Sequence, residues 1–241
     1  MKTFTYILLL LVAGCSGGSD LPTNAPVTPN SFLSSSPYTS LVIELVSVSG
    51  FSPSTTAVDN LKTFLQARLN KPSGITVMQS TVASPGKTVY TLDDIKSIEN
   101  AQRKQKPSGT TLTAFLLLVD GDYAGNSGSS KVLGFAYGTS SMALFEKTVL
   151  EFSGGVGKPS VVTLETTVME HEFGHILGLV NNGTSLQSSH QDVANGKHCT
   201  NQNCLMYFNV ETSDVAANLL GGSVPALDAA CLADLQGNGG K

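Results

Sequence analysis

His171-Glu172-Phe173-Gly174-His175 is the segment of this 241-residue chain whose residue types and spacing are best suited to chemistry. On a helix, residues four apart share one face a turn apart, so His171 and His175 can direct imidazole nitrogens at a single Zn2+ ion. Glu172 projects differently. It stands outside the ion's direct reach but within hydrogen-bond distance of a water held there, the position of a general base in metal-assisted peptide hydrolysis. Zinc would bring that water's pKa toward neutrality, and Glu172 would take the proton and pass it to the leaving amine. A pair of solvated histidines on an ordinary helix could share this spacing. With four histidines in the chain, the added glutamate makes that coincidence a small one. Gly178, three residues on, lets the chain leave the helix sharply.

A catalytic zinc needs a third protein donor and an open fourth position. His171-Glu172-x-x-His175-x-x-Gly178 resembles the signature of the metzincin metallopeptidases, which continues to a third ligand three residues after the glycine and to a later methionine turn. Asn181 stands at that place and is a poor zinc ligand. The polar loop beyond it offers His190, Asp192 and His198. The loop ends in His198-Cys199-Thr200-Asn201-Gln202-Asn203-Cys204-Leu205-Met206, which resembles the His-Cys-x4-Cys-x-Met segment of the archaemetzincins.

This resemblance extends from about Ser160 to Tyr207. It implies a zinc-dependent peptidase in which 17 residues (198 minus 181) separate His198 from the expected ligand position. His198 then takes the third place beside His171 and His175, ahead of His190 and, after it, Asn181 or Asp192. Met206 would lie under the metal. Archaemetzincins also bind a second zinc through four cysteines, two of them in a Cys-x-x-Cys pair after the methionine. Here only Cys231 follows, which argues against a second zinc. Cys199 and Cys204 are instead expected to form a short disulfide, or one of them to pair with Cys231.

The elements that must position these residues alternate. Leu41 to Val48, Ile75 to Val82 and Thr111 to Asp120 have the β-branched and apolar runs of buried strands. Lys131 to Tyr137 and Met142 to Phe145 add one or two more. Val58, Leu61, Phe64, Leu65 and Leu69 fall on one helical face, Thr91 with Asp94 opens a second helix, and the metal helix runs from about Ser160 to Leu179. A short helix closes the chain near Ala226 to Leu235. These predict an α/β fold with a mixed, mostly parallel sheet, an antiparallel edge strand and a zinc-binding active-site helix. The metzincin resemblance implies an edge strand above the metal helix that pairs with an extended substrate backbone, for which Gly134 to Tyr137 is the candidate, the alternative being an ordinary sheet strand.

Lys2, the apolar stretch Phe4 to Val12 and Ala13-Gly14-Cys15 form a signal-peptide pattern, too short to span a bilayer. Leu11-Val12-Ala13-Gly14-Cys15 resembles a bacterial lipobox, which implies lipidation at Cys15 and a protein anchored to the membrane in the cell envelope, outside the cytoplasm. The expected organisation is a signal peptide over 1–14, a Ser/Gly/Pro-rich flexible tether over 15–37 and a metallopeptidase domain over 38–241. Charged residues make up 13%, with 14 Lys+Arg against 18 Asp+Glu and no basic run, so nucleic acid is not an expected partner. The expected partners are a protein or peptide substrate and the membrane. The alternative reading is a zinc-binding lipoprotein with a structural or binding role and no peptidase activity.

Overall fold

Apolar runs become strands and the three-and-four spacings become helices in the computed structural model, which describes residues 26–219 and 222–241. In chain order the elements are α1 (Pro29–Leu33), β1 (Ser40–Val48), α2 (Thr55–Gln66), β2 (Gly74–Val82), β3 (Val89–Tyr90), α3 (Leu92–Gln102), β4 (Thr111–Leu118) and β5 (Asp122–Tyr123). There follow β6 (Gly134–Tyr137), β7 (Ser141–Leu144), α4 (Glu146–Glu151), α5 (Val161–Ile176), β8 (Gln191–Asp192), β9 (His198–Cys199), α6 (Val215–Asn218) and α7 (Ala229–Gly237).

Five strands form the main sheet in the order β2-β1-β4-β7-β6. The first three pairings are parallel, and β6 runs antiparallel to β7 at the edge. The expected sheet is the one observed. Successive residues of a strand point to opposite faces, and β4 divides its apolar run accordingly. Leu112, Ala114, Leu116 and Leu118 join the core beneath α2 and α5, whereas Phe115 and Leu117 join the smaller core that includes Ile95 of α3. A strand covered on both faces has no polar alternation to show, which is why this one reads as continuous hydrophobicity.

Helix α5 begins where Ser160 Oγ accepts a hydrogen bond from the Thr163 amide at 3.0 Å. Every residue from Thr163 to Ile176 is buried, including His171, Glu172 and His175. The helix is enclosed by the protein, so its polar side chains must find partners inside it, as Glu165 does with Ser54 and Thr166 with Asn60. The helix ends at Gly178, whose φ is +77°; a Cβ there would meet Thr184 N at 2.7 Å.

The stretch expected to be tether differs from that reading over its last part. Residues 29–33 form α1, with Phe32 and Leu33 fully buried and Phe32 packed edge-on against Phe173 of the metal helix at 6.0 Å between ring centres. Lys71 holds this segment through hydrogen bonds from Nζ to the carbonyls of Ser31 (2.8 Å), Ser34 and Tyr38 (2.7 Å). Two apolar side chains with a place in the core outweigh the Ser/Pro/Asn composition around them. The signal segment 1–14 and Cys15 lie outside the described residues. Among the described residues no helix is long and apolar enough to cross a membrane.

Candidate metal centres

Helix geometry sets His171 and His175 one turn apart, and their Nε2 atoms stand 3.1 Å from one another. The ring of His198 stacks on that of His171, with centroids 5.4 Å apart. The third ring comes from β9, which pairs antiparallel with β8. Two of the three imidazoles are oriented from behind. His171 Nδ1 donates to the Leu205 carbonyl at 2.6 Å and His198 Nδ1 donates to the Asn195 carbonyl at 2.6 Å, which leaves both Nε2 atoms free for a metal. Asn181, Asp192 and His190 are elsewhere. Asn181 is exposed and bonds Gln191; Asp192 caps the short turn at Val193–Asn195; His190 belongs to another cluster.

Glu211 is the residue of this cluster that sequence reasoning missed. Its Oε1 lies 3.0 Å from His198 Nε2, 3.1 Å from His175 Nε2 and 3.8 Å from His171 Nε2. It follows Met206 by five residues, with no spacing to mark it. Burial opposes its ionisation, but the three imidazoles outweigh this and hold the carboxyl well below the usual range. His175 is pushed down to about 4, chiefly by burial. For His198, burial acts the same way, yet the Glu211 carboxylate prevails and raises it.

Glu172 is fully buried under the edge strand. Burial and then the Glu211 charge raise its carboxyl well above the normal value. Gly134 of β6 permits this approach: a Cβ at that position would stand 2.9 Å from Val168 and 3.3 Å from Glu172 Cγ. On the opposite side of the helix, a Cβ on Gly174 would fall 2.3 Å from Met206 Sδ, so the small residue between the histidines admits the methionine. A cleft of about 280 Å³ opens beside the cluster, lined by Phe135, Ala136, His175, His198 and Glu211. Three imidazoles and a carboxylate within 4.8 Å of one another are donors that suit Zn2+.

The three described cysteines contradict the disulfide expectation, and with it the argument against a second metal. All are free and buried. Cys204 Sγ and Cys231 Sγ stand 3.6 Å apart, against about 2.05 Å for a disulfide. The spacing instead matches the edge of a tetrahedron with zinc–sulfur bonds of about 2.3 Å. His190 Nδ1 faces the same point, 3.5 Å from Cys199 Sγ and 3.9 Å from Cys231 Sγ. Asp228 stands beside them, its Oδ2 3.3 Å from Cys199 Sγ. Behind the ring, His190 Nε2 is 2.8 Å from Asp234 Oδ2. Cys204 accepts backbone N–H bonds from Met206 and Asp228, both at 3.4 Å. A hydrogen bond from Cys231 is the first cause that brings the Cys204 thiol down to about 7, while burial pushes Cys199 up to about 12. The donor atoms of His190, Cys199, Asp228 and Cys231 all lie within 4.8 Å of one another. The signal available was Asp228-x-x-Cys231, two donors from the first turn of one helix.

No protein-family model matches the sequence, and no curated protein matches it. Among solved structures, the fold is similar to that of an archaemetzincin from Methanopyrus kandleri, with a TM-score of 0.54 and 17% identity, covering 83% of this chain and 96% of that one. It is also similar to a zinc-dependent peptidase from Methanocorpusculum labreanum, with a TM-score of 0.50 and 17% identity, covering 80% of this chain and 99% of that one. At this identity the likeness establishes a shared mixed α/β fold.

Proposed function

We propose that this chain is a zinc-dependent metallopeptidase in which His171, His175 and His198 hold the catalytic Zn2+ and Glu172 is the general base. One observation carries the reading: three imidazole nitrogens, two of them on rings oriented by backbone carbonyls, converge beside a buried glutamate, under a sheet edge open to the cleft. Zinc in this place supplies a Lewis acid that polarises the scissile carbonyl and makes water a nucleophile near neutral pH. The chain's own residues do the rest. Glu172 accepts the proton released by the attacking water and returns it to the leaving amine; its sheltered position keeps bulk water from intercepting that proton. Edge strand β6 offers an extended peptide a row of backbone partners and so orients the bond to be cut. The names of the two similar structures, an archaemetzincin and a zinc-dependent peptidase, support the assignment.

His190, Cys199, Asp228 and Cys231, whose donor atoms lie within 4.8 Å of one another, fit a closed four-donor zinc of structural type, with Cys204 beside Cys231 at 3.6 Å. We further propose export and lipid anchoring through Cys15, supported by the segment Leu11-Val12-Ala13-Gly14-Cys15. The substrate is then a protein or peptide met outside the cytoplasm. Labelled palmitate should enter the wild-type chain and not Cys15→Ser; equal labelling would remove the anchor from the proposal.

The direct test is Glu172→Ala. The variant should keep its zinc and lose hydrolysis of fluorescent casein by at least about a hundredfold, the range expected for a lost general base. Undiminished hydrolysis would overturn the assignment. A second reading, a zinc-binding lipoprotein without peptidase activity, is favoured by Glu211 standing against the histidines. It predicts that the wild-type chain is as inert as Glu172→Ala.

A further inference from the structure

Four donor atoms around a zinc at about 2.0–2.2 Å lie roughly 3.3 Å from one another at the corners of a tetrahedron. The atoms His171 Nε2, His175 Nε2, His198 Nε2 and Glu211 Oε1 approach that figure. The two α5 histidines are 3.1 Å apart, Glu211 is 3.0, 3.1 and 3.8 Å from the three rings, and all four atoms lie within 4.8 Å of each other. The carboxylate oxygen therefore stands at the corner that a catalytic site leaves to water.

The surroundings of Glu211 also bear on its role. Its backbone is fixed, because the Leu133 amide donates to its carbonyl at 2.8 Å and the next residue, Thr212, bridges to Val132. Its side chain is not enclosed. It is 34% exposed, whereas the three histidine side chains are exposed by 9% or less. The carboxylate can thus turn out to solvent while the main chain stays in place. Glu211 further lines both the 280 Å³ cleft and a neighbouring one of about 270 Å³, the two sharing Phe135 and Ala136 of β6. A peptide laid along β6 from one cleft to the other must pass it.

We propose that Glu211 is the fourth zinc ligand of the resting site and the group that an incoming peptide displaces. The inference rests on the reading of the three histidines as a zinc site. It gives the resting protein a closed, inert metal and makes opening of the fourth position a consequence of substrate binding. It also accounts for a carboxylate entering from the solvent side, when a structural ligand would be held from within.

The test loads the protein with zinc or cobalt and compares wild type with Glu211→Ala and Glu211→Gln. The thiolate cluster adds sulfur-to-cobalt absorption in the ultraviolet, so the two centres can be followed separately. Zinc affinity at the histidine centre should fall at least tenfold in both variants. Acetohydroxamate, which needs the fourth position, should bind the metal at least tenfold more tightly. Opposite shifts are the decisive readout, since a misfolded variant would lose both affinities. Unchanged values, or weakening of both together, would overturn the inference. If the opposite shifts appear and neither wild type nor variant cleaves casein, the ligand role stands and the peptidase reading falls. If the wild type cleaves casein and no shift appears, the reverse holds.

Discussion

The two donor clusters share one short segment of chain and differ in every property that separates a reactive metal from a structural one. The histidine centre has hard and borderline donors, opens on a cleft and meets the partly exposed carboxylate of Glu211. The cysteine centre has soft donors, is buried, and is backed by Asp234 and by amides bonding to sulfur. Strand alternation connects them. His198 and Cys199 are neighbours in β9, so their side chains point to opposite sides of it, one to each centre. Leu205 accepts the His171 ring, Cys204 faces the second centre and Met206 lies under α5. The second centre thus holds the loop that brings the third imidazole to the first. Two donor sets of different character come from one loop because its backbone is pinned from both sides.

Damage should therefore travel one way. Cys231→Ala removes a buried sulfur of the cysteine centre, and it should lower zinc content by close to two ions per chain, with at least about 3 kcal/mol lost in stability, as metal binding and folding are linked. Metal analysis and thermal unfolding measure both; loss of one ion with the histidine centre intact would break the proposed support. His198→Ala should have the narrower effect. Zinc at the histidine centre should be lost while one ion stays on the thiolates, protecting Cys199, Cys204 and Cys231 from alkylation by iodoacetamide. Rapid alkylation of the zinc-treated variant would show that the coupling runs in both directions.

The two centres were unequally legible in the sequence. His171, Glu172 and His175 could be read because helical period alone puts them together, and His198 because it opens a segment ending in Met206. Glu211 could not be read, since its approach depends on the Leu133 and Thr212 contacts that tie its backbone to the strand region. In the sequence His190 reads only as a ligand of the first centre and Asp228 does not stand out, because a count of cysteines does not reveal which other donors the fold will add. The main strands and α5 carried clear patterns, whereas α1 is specified by Phe32 and Leu33 alone and declares itself only through the pocket beside Phe173.

The floor of the histidine centre offers a smaller perturbation. Gly174→Ala places a methyl where Met206 Sδ now lies, so it should cost about 1–3 kcal/mol through overpacking. Because Met206 follows Cys204 closely, the thiolate centre should register the shift as a changed cobalt–sulfur band. An unaltered band, with stability lowered, would confine the methionine's role to the first centre.

The mildest change separates ligand orientation from ligand identity. Asp234 touches His190 Nε2 at 2.8 Å and also accepts the Gln187 amide at 2.6 Å, so it fixes the ring that directs Nδ1 at the thiols. In Asp234→Asn the shape is kept and the charge behind the imidazole is lost. Zinc at the cysteine centre should weaken about 10- to 100-fold, the usual effect of removing a carboxylate behind a metal-bound histidine. The histidine centre should keep its affinity, because the four donors of the cysteine site remain and the loop is still closed. Competition with a chromophoric chelator, read against the cobalt–sulfur band, distinguishes the two sites. An unchanged affinity would mean that His190 is not a ligand, leaving His190 and Asp234 as a buried hydrogen-bonded pair that supports the loop from outside.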